Sequence, residues 1–337
     1  LRGVNTVVVC AYTEDRWDLL RRAVDSAASQ SDEIEIVVVI DHNDQLLQRS
    51  RMTWPQHVVV ANRFARGLSG ARNTGIEAAA GDVIAFLDDD AEAEAGWFSE
   101  LMSAFDDPVV GGAGGTVLPN WTAGPPAWFP PEFWWVVGCS YAGQGEAVAE
   151  IRNPIGANMA ARRRVFEQVG GFREEVGRVG TLPLGCEETE LSIRARRAGY
   201  TIWFRPGAIV HHVVPASRTT FAYFLRRCFA EGMSKAVVSA MVGQEAGLAS
   251  ERTYVSRTLP AALRRELRRL RRGPDRASAA QRAGAIVVGV LAACAGFARG
   301  ALVRRRRARS LKPPPAVPPR PSSVGAQIPS HGMGRSG

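Results

Sequence analysis

The chain has 337 residues, room for one large domain or two modest ones, and its apolar and charged fractions are those of an ordinary globular protein. A net charge of +9 hides a division: residues 251–337 hold 19 basic and 3 acidic residues, residues 1–250 hold 23 and 30, so an acidic body carries a strongly basic tail. Five scattered cysteines without a Cys-x-x-Cys pair argue against a zinc ribbon and a disulfide framework and fit a reducing compartment.

The opening apolar run, within Leu1–Cys10, reads as a strand rather than a signal-peptide core. Thr6 to Ala11 predicts a first buried strand, followed by the polar turn Tyr12-Thr13-Glu14-Asp15. Trp17 to Ala28 has helical spacing at Leu19, Leu20, Ala23, Val24 and Ala27. A second strand, Glu35 to Ile40, ends in Asp41-His42-Asn43-Asp44, and a third, His57 to Ala61, ends at Asn62. Gly67-Leu68-Ser69-Gly70 opens a helix from about Ala71 to Ala80. The run Val83 to Leu87 is continuously apolar, as in a strand covered on both faces, and is followed by Asp88-Asp89-Asp90. This alternation over residues 6–105 predicts a parallel sheet of βαβ units.

Residues 108–145 are rich in Gly, Pro and Trp. Trp121, Trp128, Phe129, Phe133, Trp134 and Trp135 either line a substrate cleft or plug the core under a long loop. Asn158 to Val169 reads as a helical connection, ending at Gly170-Gly171. Glu187 to Ala198 is a helix that begins with acids, which suits its positive end. Thr201 to Phe204 and Ala208 to Val210 are short strands, with His211-His212 after the second. From about Thr219 the pattern is helical and basic. Ala261 to Arg272 interleaves arginines with Leu263, Leu267 and Leu270, a cationic amphipathic helix of the kind that lies on membranes. Ala283 to Ala298 is apolar without interruption, yet shorter than the about 20 residues of a full span. Residues 308–337, rich in Pro, Ser and Gly, are expected to be disordered. The chain therefore divides into a body at 1–218, a basic helical segment at 219–273, an apolar segment at 274–307 and a tail.

Asp88-Asp89-Asp90 stands at a strand's carboxyl end, where open α/β sheets place their ligands. Adjacent anions repel, so the cluster calls for a positive partner; oxygen-rich sites suit Mg²⁺ or Mn²⁺ shared with phosphates. A solvated acidic turn is the alternative. The Tyr12-Thr13-Glu14 turn, Asp41 and the Arg72-Asn73 helix start fall on the same sheet edge. Together they describe a nucleotide pocket, with a carboxylate for a base edge and a metal for the diphosphate. Arg72 either cancels phosphate charge or joins a surface ion pair. In Gly185-Cys186-Glu187-Glu188-Thr189-Glu190, helical spacing cannot aim three acids one way. One acid can face the cleft as a general base while another pairs with an arginine, and capping of the helix start is the alternative. Imidazole at His211-His212 suits a Mn²⁺-type site.

Taken in order, Val7 to Glu14, Glu35 to Asp41, Ala71-Arg72-Asn73-Thr74-Gly75-Ile76, Phe86 to Asp90 and Gly185 to Leu191 resemble a family 2 glycosyltransferase over roughly residues 4–215. That resemblance implies an α/β fold of the GT-A nucleotide-diphospho-sugar transferase type, a mostly parallel sheet flanked by helices, to which the residues after 218 add a helical basic C-terminal extension. It implies an inverting enzyme in which Ala11, Tyr12 and Glu14 border the nucleotide and Asp41 binds the base. Arg72, Asp88 and Asp89 join the nucleotide-sugar site, and Asp88 and Asp90 are the outer residues of a D-x-D motif that holds a divalent metal, Mn²⁺ or Mg²⁺. His212 matches a late metal- or diphosphate-holding histidine, with His211 an equal candidate. Glu188 falls where the family places its base, as Glu rather than Asp, with Glu187 the alternative. Asn153 to Met159 matches the stretch beneath the acceptor cleft. A UDP-sugar donor is the family-level expectation. The tail's leucines interleaved with arginines point to an anionic membrane surface on the cytoplasmic side rather than to nucleic acid, and with it to a glycan or lipid-linked acceptor of the cell envelope. A nucleotidyltransferase would place a basic Gly-rich loop where the acidic turn Tyr12 to Asp15 stands. A dinucleotide-binding oxidoreductase would need a G-x-G-x-x-G after the first strand, and a non-catalytic membrane adaptor has only the arginine-rich tail in its favour.

Overall fold

The computed structural model describes residues 5–177 and 185–310. In chain order the regular elements begin β1 (Asn5–Ala11), α1 (Trp17–Ala28), β2 (Ile34–Ile40), α2 (Asp44–Thr53), β3 (Val58–Ala61), α3 (Leu68–Ala78), β4 (Val83–Asp88), β5 (Ala91–Ala93) and α4 (Trp97–Met102). The middle holds β6 (Val110–Trp121), β7 (Ala149–Glu150), β8 (Asn158–Arg162), α5 (Arg163–Val169), α6 (Glu187–Arg197) and β9 (Thr201–Val214). The C-terminal helices are α7 (Phe221–Val242), α8 (Gln244–Gly247), α9 (Ala249–Thr253), α10 (Leu259–Arg272) and α11 (Arg276–Ser310).

The strands form one nine-stranded sheet in the order β3-β2-β1-β4-β8-β6-β9-β5, with β7 on β9. Pairings among β3, β2, β1 and β4 are parallel, as is β6 with β9; β8 runs antiparallel to both its neighbours, and β5 and β7 antiparallel to β9. The parallel half is the one legible as βαβ units. Its strands alternate between two apolar layers, as a period of two requires. Val7 and Val9 face Leu20, Ala23, Val24 and Ala27 of α1, while Val8, Val37 and Val39 face Ala71 of α3 together with Phe86.

The antiparallel half departs from the expectations. Asn158 to Arg162, expected as helix, is strand β8, because it fills the slot between β4 and β6; only α5 behind it is helical. The Gly-rich run is the N-terminal half of the long strand β6. A Cβ at Gly114 would stand 2.3 Å from the Pro154 Cβ, so a side chain would prevent this approach. The two short strands are one strand, β9, and His211 and His212 lie within it rather than after it. α3 begins at Leu68, three residues ahead of expectation, so the Gly-Leu-Ser-Gly turn is its first turn.

Of the aromatic stretch, Phe129 and Phe133 are buried and Trp128 half-buried, their rings 5.3–5.5 Å from Phe224 of α7. They plug the core. Leu259 and Ala262 of α10 and Ala285 and Ile286 of α11 belong to that same core, so the C-terminal helices share the body's interior rather than forming a separate unit. One helix among the described residues, Arg276–Val303, is long and apolar enough to cross a membrane by length and composition. Residues 308–310, expected in the disordered tail, continue α11; the rest of that tail lies outside the described residues.

Candidate active site

β4 delivers Asp88 to the carboxyl edge of the sheet, and Asp89 and Asp90 make the turn into β5. β5 pairs with β9 in a register that sets Ala91 opposite His212. That register decides between the two histidines. His212 points inward, its Nε2 3.1 Å from Asp90 Oδ1. His211, one residue away and therefore on the other face, meets Glu94 at 2.5 Å, half exposed. Donor atoms of Asp88, Asp90 and His212 lie within 4.8 Å of one another.

Two arginines that sequence reasoning missed balance this cluster. Arg16, in the short turn after β1, reaches Asp89 Oδ1 at 2.9 Å and Asp90 Oδ2 at 3.1 Å. Arg218, after β9, approaches Asp90 Oδ2 at 3.5 Å. Nothing in the sequence distinguishes either from the other basic residues. Burial opposes ionisation of Asp90, but His212, Arg16 and Arg218 outweigh it and hold its carboxyl well below the usual range. Burial, and then the Asp90 charge, push Asp89 up to about 7 despite Arg16. Asp89 Oδ2 is buried without a hydrogen-bond partner. Two carboxylates and an imidazole with a buried unpartnered oxygen alongside form a donor set that could hold a divalent metal ion.

Arg72 of α3 links this cluster to the second group of acids. Its guanidinium donates to Asp88 Oδ1 at 3.2 Å, Glu187 Oε1 at 2.9 Å and the Gly156 carbonyl at 2.9 Å. At 1 % exposure it stands behind the carboxylates, not open to a phosphate as its expected place in the donor pocket requires. Gly156 lies in the Asn153–Met159 stretch, which is anchored at Asn158, whose side chain accepts from Trp97 Nε1 at 2.8 Å.

Cys186 enters α6 in the left-handed region, φ +75°, and the three acids that follow diverge. Glu187 pairs with Arg72. Glu190 is buried against Arg194 at 2.7 Å and Arg173 at 3.2 Å. Glu188 keeps part of its surface in solvent and makes no ion pair among the described residues; the Thr189 hydroxyl donates to it at 3.3 Å. Burial, and then the Glu187 carboxylate, push Glu188 up to about 7. A carboxylate near neutrality, partly open and unpaired, has the properties of a general base. Glu187, tied to Arg72, does not.

Asp41 is nearly buried. Oδ1 receives Asn62 Nδ2 at 2.7 Å and meets His42 Nδ1 at 2.8 Å, while Oδ2 receives the Gly67 N–H at 2.9 Å. The carboxylate thus organises the loop before α3 and keeps little capacity for a base. Ala11 is buried, and its carbonyl accepts the Asp41 N–H at 2.8 Å. Tyr12 is exposed, with the Arg16 guanidinium 5.6 Å from its ring centre, and Glu14 is half-buried beside it.

The sheet topology and this edge-on cluster define a GT-A glycosyltransferase, and the comparisons agree. The model of glycosyl transferase family 2 matches residues 6–170. The chain is 36 % identical over 245 residues to a glucosyl-dolichyl phosphate glucuronosyltransferase of Haloferax volcanii, covering 71 % of this chain and 78 % of that one. It is 25 % identical over 239 residues to the succinoglycan biosynthesis protein ExoM of Rhizobium meliloti, covering 67 % and 72 %. Among solved structures, a mannosyltransferase from Pyrobaculum calidifontis in complex with GDP-Man and Mn²⁺ shares the fold at a TM-score of 0.55 and 19 % identity, over 86 % of this chain and 87 % of that one. The protein belongs to glycosyltransferase family 2 and is an enzyme of that class.

Proposed function

We propose that the protein transfers a sugar, with inversion, from a nucleoside-diphosphate donor to a hydroxyl of a lipid-linked cell-envelope glycan. The reaction takes place at the cytoplasmic face of the membrane. The observation that carries this reading is the Arg72 bridge: one buried guanidinium holds Asp88 of the metal-type cluster through Nη2 and Glu187, the neighbour of Glu188, through Nη1. Donor-binding and proton-accepting groups are thereby fixed relative to each other, as a direct displacement requires. Glu188 takes the proton of the acceptor hydroxyl. The hydroxyl oxygen attacks the anomeric carbon from the face opposite the diphosphate, and the breaking bond leaves its electron pair on the diphosphate. A divalent cation on Asp88, Asp90 and His212 would supply charge stabilisation for that leaving group. Arg16 and Arg218 keep the cluster's excess negative charge balanced.

Uridine is the proposed base of the donor. A glucosyl-dolichyl phosphate glucuronosyltransferase as a relative supports an acceptor sugar carried on a lipid phosphate. Free cysteines throughout support the cytoplasmic side. The test is nucleoside diphosphate release from UDP-, GDP- and dTDP-sugars with Mn²⁺, Mg²⁺ or EDTA, with and without polyprenyl-phosphate sugars. Metal-dependent release from one donor, lost in Asp90→Ala, is the expected result. A folded Asp90→Ala enzyme with near-normal turnover overturns the reading.

A further inference from the structure

The helical hairpin of α10 and α11 is built inside out for a protein surrounded by water. In α10 the acid is inside: Glu266 is 0 % exposed, held by Arg265 at 2.8 Å and by Arg282 of α11 at 2.9 Å. That anchoring turns Leu267 and Leu270 outward, 44 % and 37 % exposed, among the exposed Arg264, Arg268, Arg271 and Arg272. In α11, Gly284, Val287, Val288, Leu291, Cys294, Ala295, Ala298 and Leu302 are all exposed at helical spacing, so one continuous apolar stripe faces outward. Leu291, at its centre, is 62 % exposed. Uncovered stripes of this kind mark a binding surface.

The opposite face of α11 is not available to lipid. It is pressed onto α7: a Cβ on Gly232 would stand 1.9 Å from the Ala293 carbonyl oxygen, and one on Gly296 would stand 1.9 Å from the Phe229 carbonyl oxygen. α7 carries Arg226, Arg227, Glu231 and Lys235, with Lys235 paired to Glu231 and Glu251, and cannot follow α11 into hydrocarbon. To span a bilayer, α11 would have to leave both α7 and the core that holds Ala285 and Ile286.

We infer that α10 and α11 form a monotopic seat on an anionic bilayer. α11 lies in the membrane plane with its Val288–Leu291–Leu302 stripe at the headgroup–acyl boundary, and the α10 arginines meet anionic headgroups. The occupant is lipid rather than a second copy of the chain, because arginines flank the apolar surface and, among the described residues, no exposed acidic run accompanies it to serve a symmetric partner. This rests on the membrane-surface reading above, but its test does not involve sugar transfer, so either can fail alone.

Cys294 offers a native handle: it is exposed on the stripe, whereas Cys139, Cys186 and Cys228 are buried and Cys10 is intermediate. The full chain is labelled there with an environment-sensitive fluorophore, using Cys294→Ser as the labelling control, and mixed with phosphatidylglycerol/phosphatidylcholine or pure phosphatidylcholine vesicles. The expected result is a blue shift with the anionic vesicles, diminished by salt, and stronger quenching by nitroxides near the head of the acyl chain than by nitroxides near its end. Leu291→Glu should cut partitioning about tenfold or more while leaving nucleoside diphosphate release unchanged. Deepest quenching at the chain end would mean a spanning helix and overturn the proposal. So would the absence of any shift with vesicles, or a shift that appears without lipid as the protein dimerises in sedimentation.

Discussion

The acid limb of the pH profile is where the proposed base can be identified. Glu188 is pushed up to about 7, first by burial and then by Glu187. An acid must lose its proton before it can accept one, so activity rises with pH through that value. Below it, kcat/KM should fall about tenfold per pH unit, where a carboxylate in the ordinary range would stay ionised down to about pH 5. Asp89 titrates in the same interval, so the wild-type limb alone does not assign the group. Glu187→Gln does. It keeps a hydrogen-bond acceptor for Arg72 but removes the negative charge beside Glu188, which eases ionisation of Glu188 and lowers its pKa. At an effective dielectric of about 20 a neighbouring unit charge is worth roughly 1–3 kcal/mol, so the limb should move about one pH unit or more toward acid. Glu188→Gln should lose turnover at every pH while donor binding, followed by calorimetry, stays near normal. The assay is nucleoside diphosphate release at saturating metal from pH 5 to 9. A limb that Glu187→Gln leaves in place would refute Glu188 as its origin.

Arg72→Met should destabilise the fold by about 3–5 kcal/mol in urea unfolding, because it strands buried Glu187 and the Gly156 carbonyl. Adding Glu187→Gln should recover much of that, whereas a donor-binding Arg72 would instead lose nucleotide affinity with stability intact. Arg16 holds Asp89 and Asp90 as a resident cation, so Arg16→Gln should tighten Mn²⁺ about tenfold or more in titrations without donor; an unchanged or weaker affinity contradicts this role. Gly296→Leu, which forces α11 away from the Phe229 carbonyl, should cost about 1–3 kcal/mol or more and lower Tm, and an unchanged Tm would show that the two helices do not pack this closely.

What the sequence discloses is what short-range physics controls. β1, β2 and β4 are buried on both faces and read as unbroken apolar runs, and α1 shows its inward stripe at helical spacing. Strand ends in a parallel sheet share an edge by construction, so the placement of Tyr12, Asp41 and Asp88 along one edge is legible in the sequence. β8 is not. Asn158-Met159-Ala160-Ala161-Arg162 is as good a helix as a strand by composition, and only the slot between β4 and β6 decides. β6 is hidden by its glycines, which strand propensity penalises and which close neighbours require, Tyr200 at Gly111, Pro154 at Gly114 and the Ala208 carbonyl at Gly115. Arg16 meets Asp89 across 73 residues, a separation at which local pattern carries no information.

The orientation of a helix about its own axis belongs to the same category, and here it matters for function. Leucines and arginines interleaved in α10 announce an amphipathic helix, but the spacing does not say which side turns inward. A chain folding in water alone would bury Leu267 and Leu270 and expose the acid. This one buries Glu266 against Arg265 and Arg282, which ties α10 to α11, and leaves the leucines outside. Burying the Glu266 carboxylate costs desolvation that apolar packing would avoid, and the more open Arg265 and Arg282 offset it. The same division of labour appears at Arg72, where a buried guanidinium contributes geometry instead of touching the reacting atoms. In both places a buried charge orders its surroundings: Arg72 holds Asp88 and Glu187, and Glu266 ties α10 to α11. On the proposed bilayer seat, an acceptor carried on a lipid phosphate would approach along the same surface, and the search for it would be confined to two dimensions.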